Sequence, residues 1–80
     1  MRYYVYILKS KKDSSLYTGY TTDIKARIER HNSGRVVSTK SKIPLETVYF
    51  EMHSTLKDAL LREKYLKSSK AKTLKDSLRI

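Results

Sequence analysis

The sequence contains no cysteine and no tryptophan, and it has only one proline, one phenylalanine and two glycines. Without cysteine there is no disulfide framework and no thiolate metal site, which agrees with a reducing compartment. No apolar run approaches the roughly 20 residues that a membrane-spanning helix needs. The N-terminus also lacks the apolar stretch of about 7–15 residues that a signal peptide carries. We therefore expect a cytoplasmic protein that does not span a membrane.

Acidic residues are also scarce, because 8 Asp and Glu stand against 18 Lys and Arg in 80 residues, a formal net charge of +10. At this length residues 1–80 are expected to form a single domain that buries only about 60% of its unfolded surface, so its core is thin. The positive excess favours a polyanionic partner such as nucleic acid. An acidic membrane surface is the competing partner, and charge alone does not choose between them.

Two strands are predicted at the start of the chain. Residues 2–9 and 16–20 are rich in β-branched and aromatic side chains, and the polar segment 11–15 between them is typical of a turn, so a hairpin is expected. Gly19 inside the second strand indicates a bulge or a close backbone approach. Side chains alternate along a strand. The first strand therefore presents Tyr4, Tyr6 and Leu8 on one face and Tyr3, Val5 and Ile7 on the other.

A helix is predicted next, followed by a loop and a third strand. Thr21 or Thr22 is expected to cap the helix, with Asp23 in its first turn and Gly34 just beyond its end. Residues 35–44 form a basic loop, and residues 47–52 alternate as a strand does.

Two further helices complete the pattern. Thr55 and Asp58 open a long helix that runs to about Ser68. The Lys-rich tail that begins at about residue 70 forms a further short helix over residues 71–78. The fold class that follows is α/β, a small sandwich with a three-stranded, mainly antiparallel sheet flanked by two to three helices.

Polar residues occur where the helical pattern calls for apolar ones. On the first helix, Arg27 and His31 share the face of Ile24 and Ile28. Charged side chains are rarely buried without a partner, so they are expected to meet one at the sheet. On the second helix, Glu63 falls within an apolar stripe that consists of Leu56, Ala59, Leu60 and Leu66 or Lys67.

Each of these residues also has a structural interpretation. Arg27 could extend its charge to solvent, and His31 could interact with the dipole at the end of its helix. Glu63 could pair with Lys67 on the surface of its own helix. The tyrosines could be packing residues, and no role is assigned to His53.

Two tripeptides and three polar residues occur in the order of a known enzyme domain. Tyr4-Val5-Tyr6 is followed by Tyr17-Thr18-Gly19, then by Arg27 and His31 on one helix and by Glu63 on a later one. This arrangement resembles the GIY-YIG nuclease domain, in particular its small single-domain bacterial members. The resemblance implies a three-stranded antiparallel sheet flanked by helices, which agrees with the pattern above. It also implies phosphodiester hydrolysis with one divalent ion, Mg²⁺ or Mn²⁺.

The resemblance further implies a role for each residue that matches the motif. Glu63 would be the metal ligand, and Arg27 would face the scissile phosphate. Tyr6 and Tyr17 would be the motif tyrosines, one of which activates or positions the attacking water. His31 would support that network.

The expected function is therefore that of a metal-dependent DNA endonuclease, selective for substrate structure or directed by a protein partner. The alternative is a nucleic-acid-binding module without significant catalysis, and a membrane-surface or scaffold role is a third hypothesis. In the first two cases nucleic acid would be bound by Arg35, Lys40, Lys42, Lys64, Lys67 and Lys70.

Overall fold

A computed structural model describes residues 1–79. Its strands and α-helices are β1 (Tyr3–Ser10), β2 (Leu16–Thr21), α1 (Ile24–Asn32), β3 (Leu45–His53), α2 (Leu56–Lys67) and α3 (Lys72–Arg79). Short 3-10 helices lie at Lys40–Lys42 and Ser69–Ala71. This order confirms the predicted fold class, including the short helix at the C-terminal end.

The sheet has the strand order β2-β1-β3, and both neighbours of β1 are antiparallel to it. The central strand therefore pairs on both sides, and Tyr6 lies opposite Gly19 on β2 and opposite Phe50 on β3. The register with β3 shifts between Ile7 and Leu8, whereas the register with β2 runs without interruption. Tyr6 is consequently held in the middle of the sheet.

Each face of the sheet carries its own core. Val5 and Ile7 pack with Ala59, Leu66 and Ala71 from the helical C-terminal part. On the other face Tyr6, Leu8 and Leu45 form a second buried cluster, against which Tyr17, Ile28 and Ile43 pack. The alternation predicted for β1 is confirmed, and it places α1 on one face and α2 on the other.

The cap of α1 differs from the prediction. Asp23 is the N-cap rather than Thr21 or Thr22, because its carboxylate accepts a hydrogen bond from the Ala26 amide at 3.1 Å. Thr21 instead accepts from the Asp23 amide at 3.2 Å and shapes the entry to the helix.

The predicted apolar stripe of α2 is only partly right. Ala59 and Leu66 are fully buried, but Leu56 and Leu60 are each 40% exposed. Ala59 and Leu66 are seven residues apart, so a narrow strip of the helix touches the sheet and its neighbours on either side turn outward. Glu63 lies close to that strip, with 18% of its side chain exposed.

Leu66→Ala should lower the free energy of unfolding by about 2–5 kcal/mol, since it removes a fully buried side chain and leaves a cavity. The matched control is Leu61→Ala on the same helix, where the leucine is 59% exposed, and it should change stability by less than about 0.5 kcal/mol. Urea unfolding of both variants measures the difference. Equal losses in the two would contradict the packing described for α2.

A polar cluster ties β3 to α2. The Glu51 carboxylate accepts hydrogen bonds from the Tyr49 hydroxyl at 2.5 Å and from Arg62 Nε at 2.7 Å, and it lies 2.9 Å from His53 Nε2. His53, to which the sequence assigned no role, thus has a partner. Burial raises the pKa of Glu51, but the hydrogen bonds from Tyr49, His53 and Arg62 outweigh burial and leave that pKa below its usual value.

A carboxyl group whose pKa is lowered by folding stabilises the fold above its unfolded pKa of about 4.3, and the effect is lost as the pH falls through the folded value. Glu51→Gln should therefore lose about 1–3 kcal/mol at pH 7 and show a smaller further loss on acidification than the wild type. Urea unfolding between pH 7 and pH 3 measures this, with exposed Glu46→Gln as the control. A parallel pH dependence in Glu51→Gln and the wild type would contradict the role given to this cluster.

Candidate active site

The Tyr6 side chain is 1% exposed and lies directly over β2. A Cβ atom at Gly19 would sit 2.5 Å from the Tyr6 hydroxyl oxygen and 2.7 Å from its Cζ atom. Of the two interpretations of Gly19, close approach is therefore the right one, and the approaching group is the phenol of Tyr6. Any side chain at position 19 would displace that phenol.

The Tyr6 hydroxyl meets two side chains of α1. Arg27 Nε donates a hydrogen bond to the phenol oxygen at 3.3 Å, and His31 Nε2 lies 3.3 Å from the same oxygen. His31 is fully buried, and its Nδ1 atom is 2.8 Å from the hydroxyl of Thr39. The Tyr17 ring meets the His31 ring edge-on at a centroid distance of 5.1 Å. Tyr6, Tyr17, Arg27 and His31 are thus brought together as the sequence predicted.

The charges of the site follow from this arrangement. Burial raises the pKa of Tyr6, while the hydrogen bond and charge of Arg27 act against that increase. Burial lowers the pKa of His31, and the nearby charges of Arg27 and Arg30 lower it further. At neutral pH the site therefore holds a protonated phenol, a neutral imidazole and a charged guanidinium.

Glu63 approaches this group from α2, on the other face of the sheet. The helix packs against β1 and β2, and the carboxylate is near enough for its negative charge to contribute to the raised pKa of Tyr6. Among the described residues no hydrogen bond links Glu63 to Tyr6, Tyr17, Arg27 or His31, and its ion-pair partner is Lys67 at 3.3 Å. The surface pair considered from the sequence is therefore formed.

The residues available fit a divalent ion with one protein carboxylate. Within residues 1–79 no group of three or more His, Cys, Asp and Glu side chains comes together as a metal cluster. Mg²⁺ needs only one or two carboxylates, because waters and substrate phosphate oxygens complete its shell. The partly exposed carboxylate of Glu63 can serve as that ligand once Lys67 moves aside.

The loop from residue 33 to residue 44 is fastened at both ends. The Asn32 side chain donates to the Leu45 carbonyl at 3.0 Å and accepts from the Leu45 amide at 2.7 Å. The Ser10 hydroxyl donates to the Lys42 carbonyl at 2.6 Å, and Lys42 forms an ion pair with Asp13. The sequence does not mark Asn32 or Thr39 as functional, because single polar residues at a helix end or in an irregular loop give no periodic signal.

The cations predicted to bind nucleic acid differ in their partners. Lys42 pairs with Asp13 and Lys67 pairs with Glu63. The other members of the set are exposed, namely Arg35, Lys40, Lys64 and Lys70. Their binding role stays a prediction. No helix within the described part of the chain is long and apolar enough to cross a membrane.

Comparison with known proteins shows the family to which the chain belongs. The family described as the GIY-YIG catalytic domain matches residues 2–76. The chain belongs to the GIY-YIG family. This is a nuclease family, and the resemblance seen in the two tripeptides is confirmed.

Similar members of the GIY-YIG family are the UPF0213 proteins. One from Staphylococcus haemolyticus is 48% identical over 68 residues, which cover 84% of this chain and 82% of that protein. Another from Staphylococcus saprophyticus is 47% identical over 76 residues and 92% of each chain. The solution NMR structure of a UPF0213 protein from Bacillus halodurans has a TM-score of 0.58 and 38% identity, covering 98% of this chain and 85% of that one.

Gly19→Ala should destabilise this GIY-YIG domain by about 1–3 kcal/mol, because the new methyl group would overlap the Tyr6 ring and force the phenol to move. Urea unfolding measures the loss. Thr22→Ala, at an exposed position just beyond β2, is the control and should be nearly neutral. If the two variants were equally stable, the close approach of Tyr6 to Gly19 would be wrong.

Proposed function

We propose that this chain is a metal-dependent endonuclease that hydrolyses phosphodiester bonds in DNA. The observation that carries the proposal is the hydrogen bonding of one buried phenol, Tyr6, to both Arg27 and His31 in a member of a nuclease family. A buried structural tyrosine needs partners for its hydroxyl, but it does not need a charged guanidinium and an imidazole together. In phosphoryl transfer a guanidinium can stabilise developing negative charge, and an imidazole can accept a proton.

Arg27 is proposed to bind the scissile phosphate. Its side chain is half-buried and donates to Tyr6 through Nε, with Tyr17 also close to the guanidinium, and since a guanidinium has five N–H donors, some of them remain for phosphate oxygens. A guanidinium forms paired hydrogen bonds with phosphate and stabilises the charge that develops during displacement. Because Arg27 also covers the Tyr6 oxygen, a phosphate that draws it outward would open that oxygen to water.

Tyr6 and His31 are proposed to carry the proton of the attacking water. As the water oxygen forms its bond to phosphorus and the bond to the leaving oxygen breaks, one water proton passes to the Tyr6 oxygen. In the same step the phenol proton passes to His31 Nε2, and the imidazolium that forms releases its extra proton to solvent, because burial and the nearby guanidiniums lower the pKa of His31. Solvent protonates the leaving oxygen. The raised pKa of Tyr6 suits this relay, because no free phenolate has to accumulate.

Glu63 and Tyr17 complete the proposed site. Glu63 would hold one divalent ion, Mg²⁺ or Mn²⁺, which when bound supplies positive charge at the phosphate. Tyr17 is half-buried beside His31 and would position the water or the phosphate from the more open side. The exposed cations would bind the DNA backbone in a salt-dependent way. We infer that the protein acts in the cytoplasm as one domain, with specificity from DNA structure or a partner protein.

A nucleic-acid-binding module without catalysis is the second candidate. The observation that favours it is the Glu63–Lys67 ion pair, which occupies the carboxylate that the metal would need. In that case binding would fall steeply with salt and would not respond to metal or to loss of the Glu63 charge.

The test is nicking of supercoiled plasmid and cleavage of branched and duplex oligonucleotides with Mg²⁺ or Mn²⁺. Glu63→Gln and Tyr6→Phe should each reduce the rate by about 10²–10⁴-fold, because one removes the ligand charge and the other removes the hydroxyl that relays the proton. Activity should disappear when EDTA removes the metal.

Two matched variants serve as controls. Glu46→Gln changes an exposed carboxylate and Tyr20→Phe removes an exposed hydroxyl, and both should cleave at the wild-type rate. Identical residual activity in the wild type and in Glu63→Gln would indicate a contaminating nuclease and would refute the proposal. DNA binding that persists unchanged without any cleavage would favour the second candidate.

A further inference from the structure

Thr39 is a polar residue that is 1% exposed, although it lies in the loop between α1 and β3. Its amide donates to the Val36 carbonyl at 3.1 Å, and its own carbonyl accepts from the Lys42 amide at 2.9 Å. With its backbone occupied in this way, the side chain points to His31, where its hydroxyl oxygen lies 2.8 Å from Nδ1. This is the shorter of the two polar contacts of that ring, since Nε2 is 3.3 Å from the Tyr6 oxygen.

The hydrogen bonds of the Tyr6 hydroxyl determine which ring nitrogen of His31 carries the hydrogen, and therefore which atom donates in the contact with Thr39. A neutral phenol has one proton to donate, and its oxygen accepts from Arg27 Nε, which is only a donor. His31 Nε2 is the acceptor that the described structure provides for the phenol proton. A neutral imidazole that accepts at Nε2 carries its hydrogen on Nδ1. That hydrogen is directed at the Thr39 oxygen.

The geometry points to Thr39 as a positioning residue that accepts the Nδ1 hydrogen of His31 and thereby keeps Nε2 free to take the proton of Tyr6. The choice of tautomer is a property of the folded chain alone. Its importance for the rate rests on the function proposed above. Ring nitrogens are commonly assigned their roles in this way, since the bond made by one nitrogen sets the state of the other.

Several contacts of the loop between α1 and β3 hold the Thr39 hydroxyl in place. Lys42, which closes the turn on Thr39, is itself held by the Ser10 hydroxyl and by the ion pair with Asp13 on the β1–β2 hairpin. The two hydrogen bonds between the Asn32 side chain and the Leu45 backbone hold the two ends of the same loop together. A hydroxyl held from several sides selects one tautomer more strongly than one on a mobile loop would.

The tautomer can be measured directly by long-range ¹H–¹⁵N correlation spectra of ¹⁵N-labelled full-length protein at pH 7.5. The chain has two histidines, so His53, which bonds to Glu51 instead, is an internal reference in every spectrum. In the wild type, His31 should give the pattern of an imidazole protonated at Nδ1. Thr39→Ser keeps the hydroxyl and should keep that pattern.

Thr39→Val removes the hydroxyl with little change of shape and should move His31 toward a mixture of tautomers or toward the form protonated at Nε2. Thr39→Ala is measured beside it in case the second methyl group disturbs the buried site, and exposed Ser38→Ala is the control for the loop. In nuclease assays kcat should fall about tenfold in Thr39→Val with little change in KM, and Thr39→Ser should recover most of it.

Two results would overturn the inference. One is a wild-type His31 protonated at Nε2, which is decided without any variant. The other is an unchanged His31 pattern in a folded Thr39→Val or Thr39→Ala protein. If instead the spectra follow the expectation while the wild type cleaves no DNA, the positioning by Thr39 stands and the proposed nuclease function fails.

Discussion

The structure depends on one constraint, which is that a phenol placed in the middle of a sheet must find partners for both its oxygen and its proton. Tyr6 is on the central strand and is almost completely buried, so water does not supply those partners. An unpaired hydroxyl in such a place costs about 1–3 kcal/mol. Gly19 makes room for the oxygen, Arg27 donates to it and His31 faces it. The need to satisfy this one oxygen therefore brings α1, β1 and β2 to a common site.

The two faces of the sheet contribute different parts of that site. The helix α1 holds Arg27 and His31 at one face of the sheet. The helix α2 lies on the other face, contacts β1 and β2, and carries Glu63. In a sheet of three strands β2 is both an edge and a neighbour of the central strand. The charge of Glu63 on α2 is therefore near enough to act on Tyr6 of the central strand, and it contributes to the raised pKa of that phenol. A broader sheet would separate them.

Much of this was predictable because the signals are periodic or positional. Alternation along β1 predicted that Tyr6 and Val5 face opposite cores, and helical spacing placed Arg27 with His31. Thr39 and the Glu51 cluster were not predictable, because their partners are distant in the sequence and lie on separate elements. The cap at Asp23 was missed because Thr21, Thr22 and Asp23 are all good caps, and only the path of the chain decides among them.

The side chains of the candidate site are also core residues of this 80-residue domain. Tyr6 belongs to the same buried cluster as Leu8 and Leu45, and His31 is fully buried beside it. A thin domain has few residues with which to fill its core, so the side chains proposed for catalysis also fill that core. A loss of activity on changing Tyr6, His31 or Gly19 can therefore arise from lost stability as well as from lost chemistry. Glu63 avoids this problem, because its carboxylate is partly exposed and its ion-pair partner within residues 1–79 is Lys67. For that reason the charge of Glu63, rather than the hydroxyl of Tyr6, is the sharper probe of catalysis in this fold.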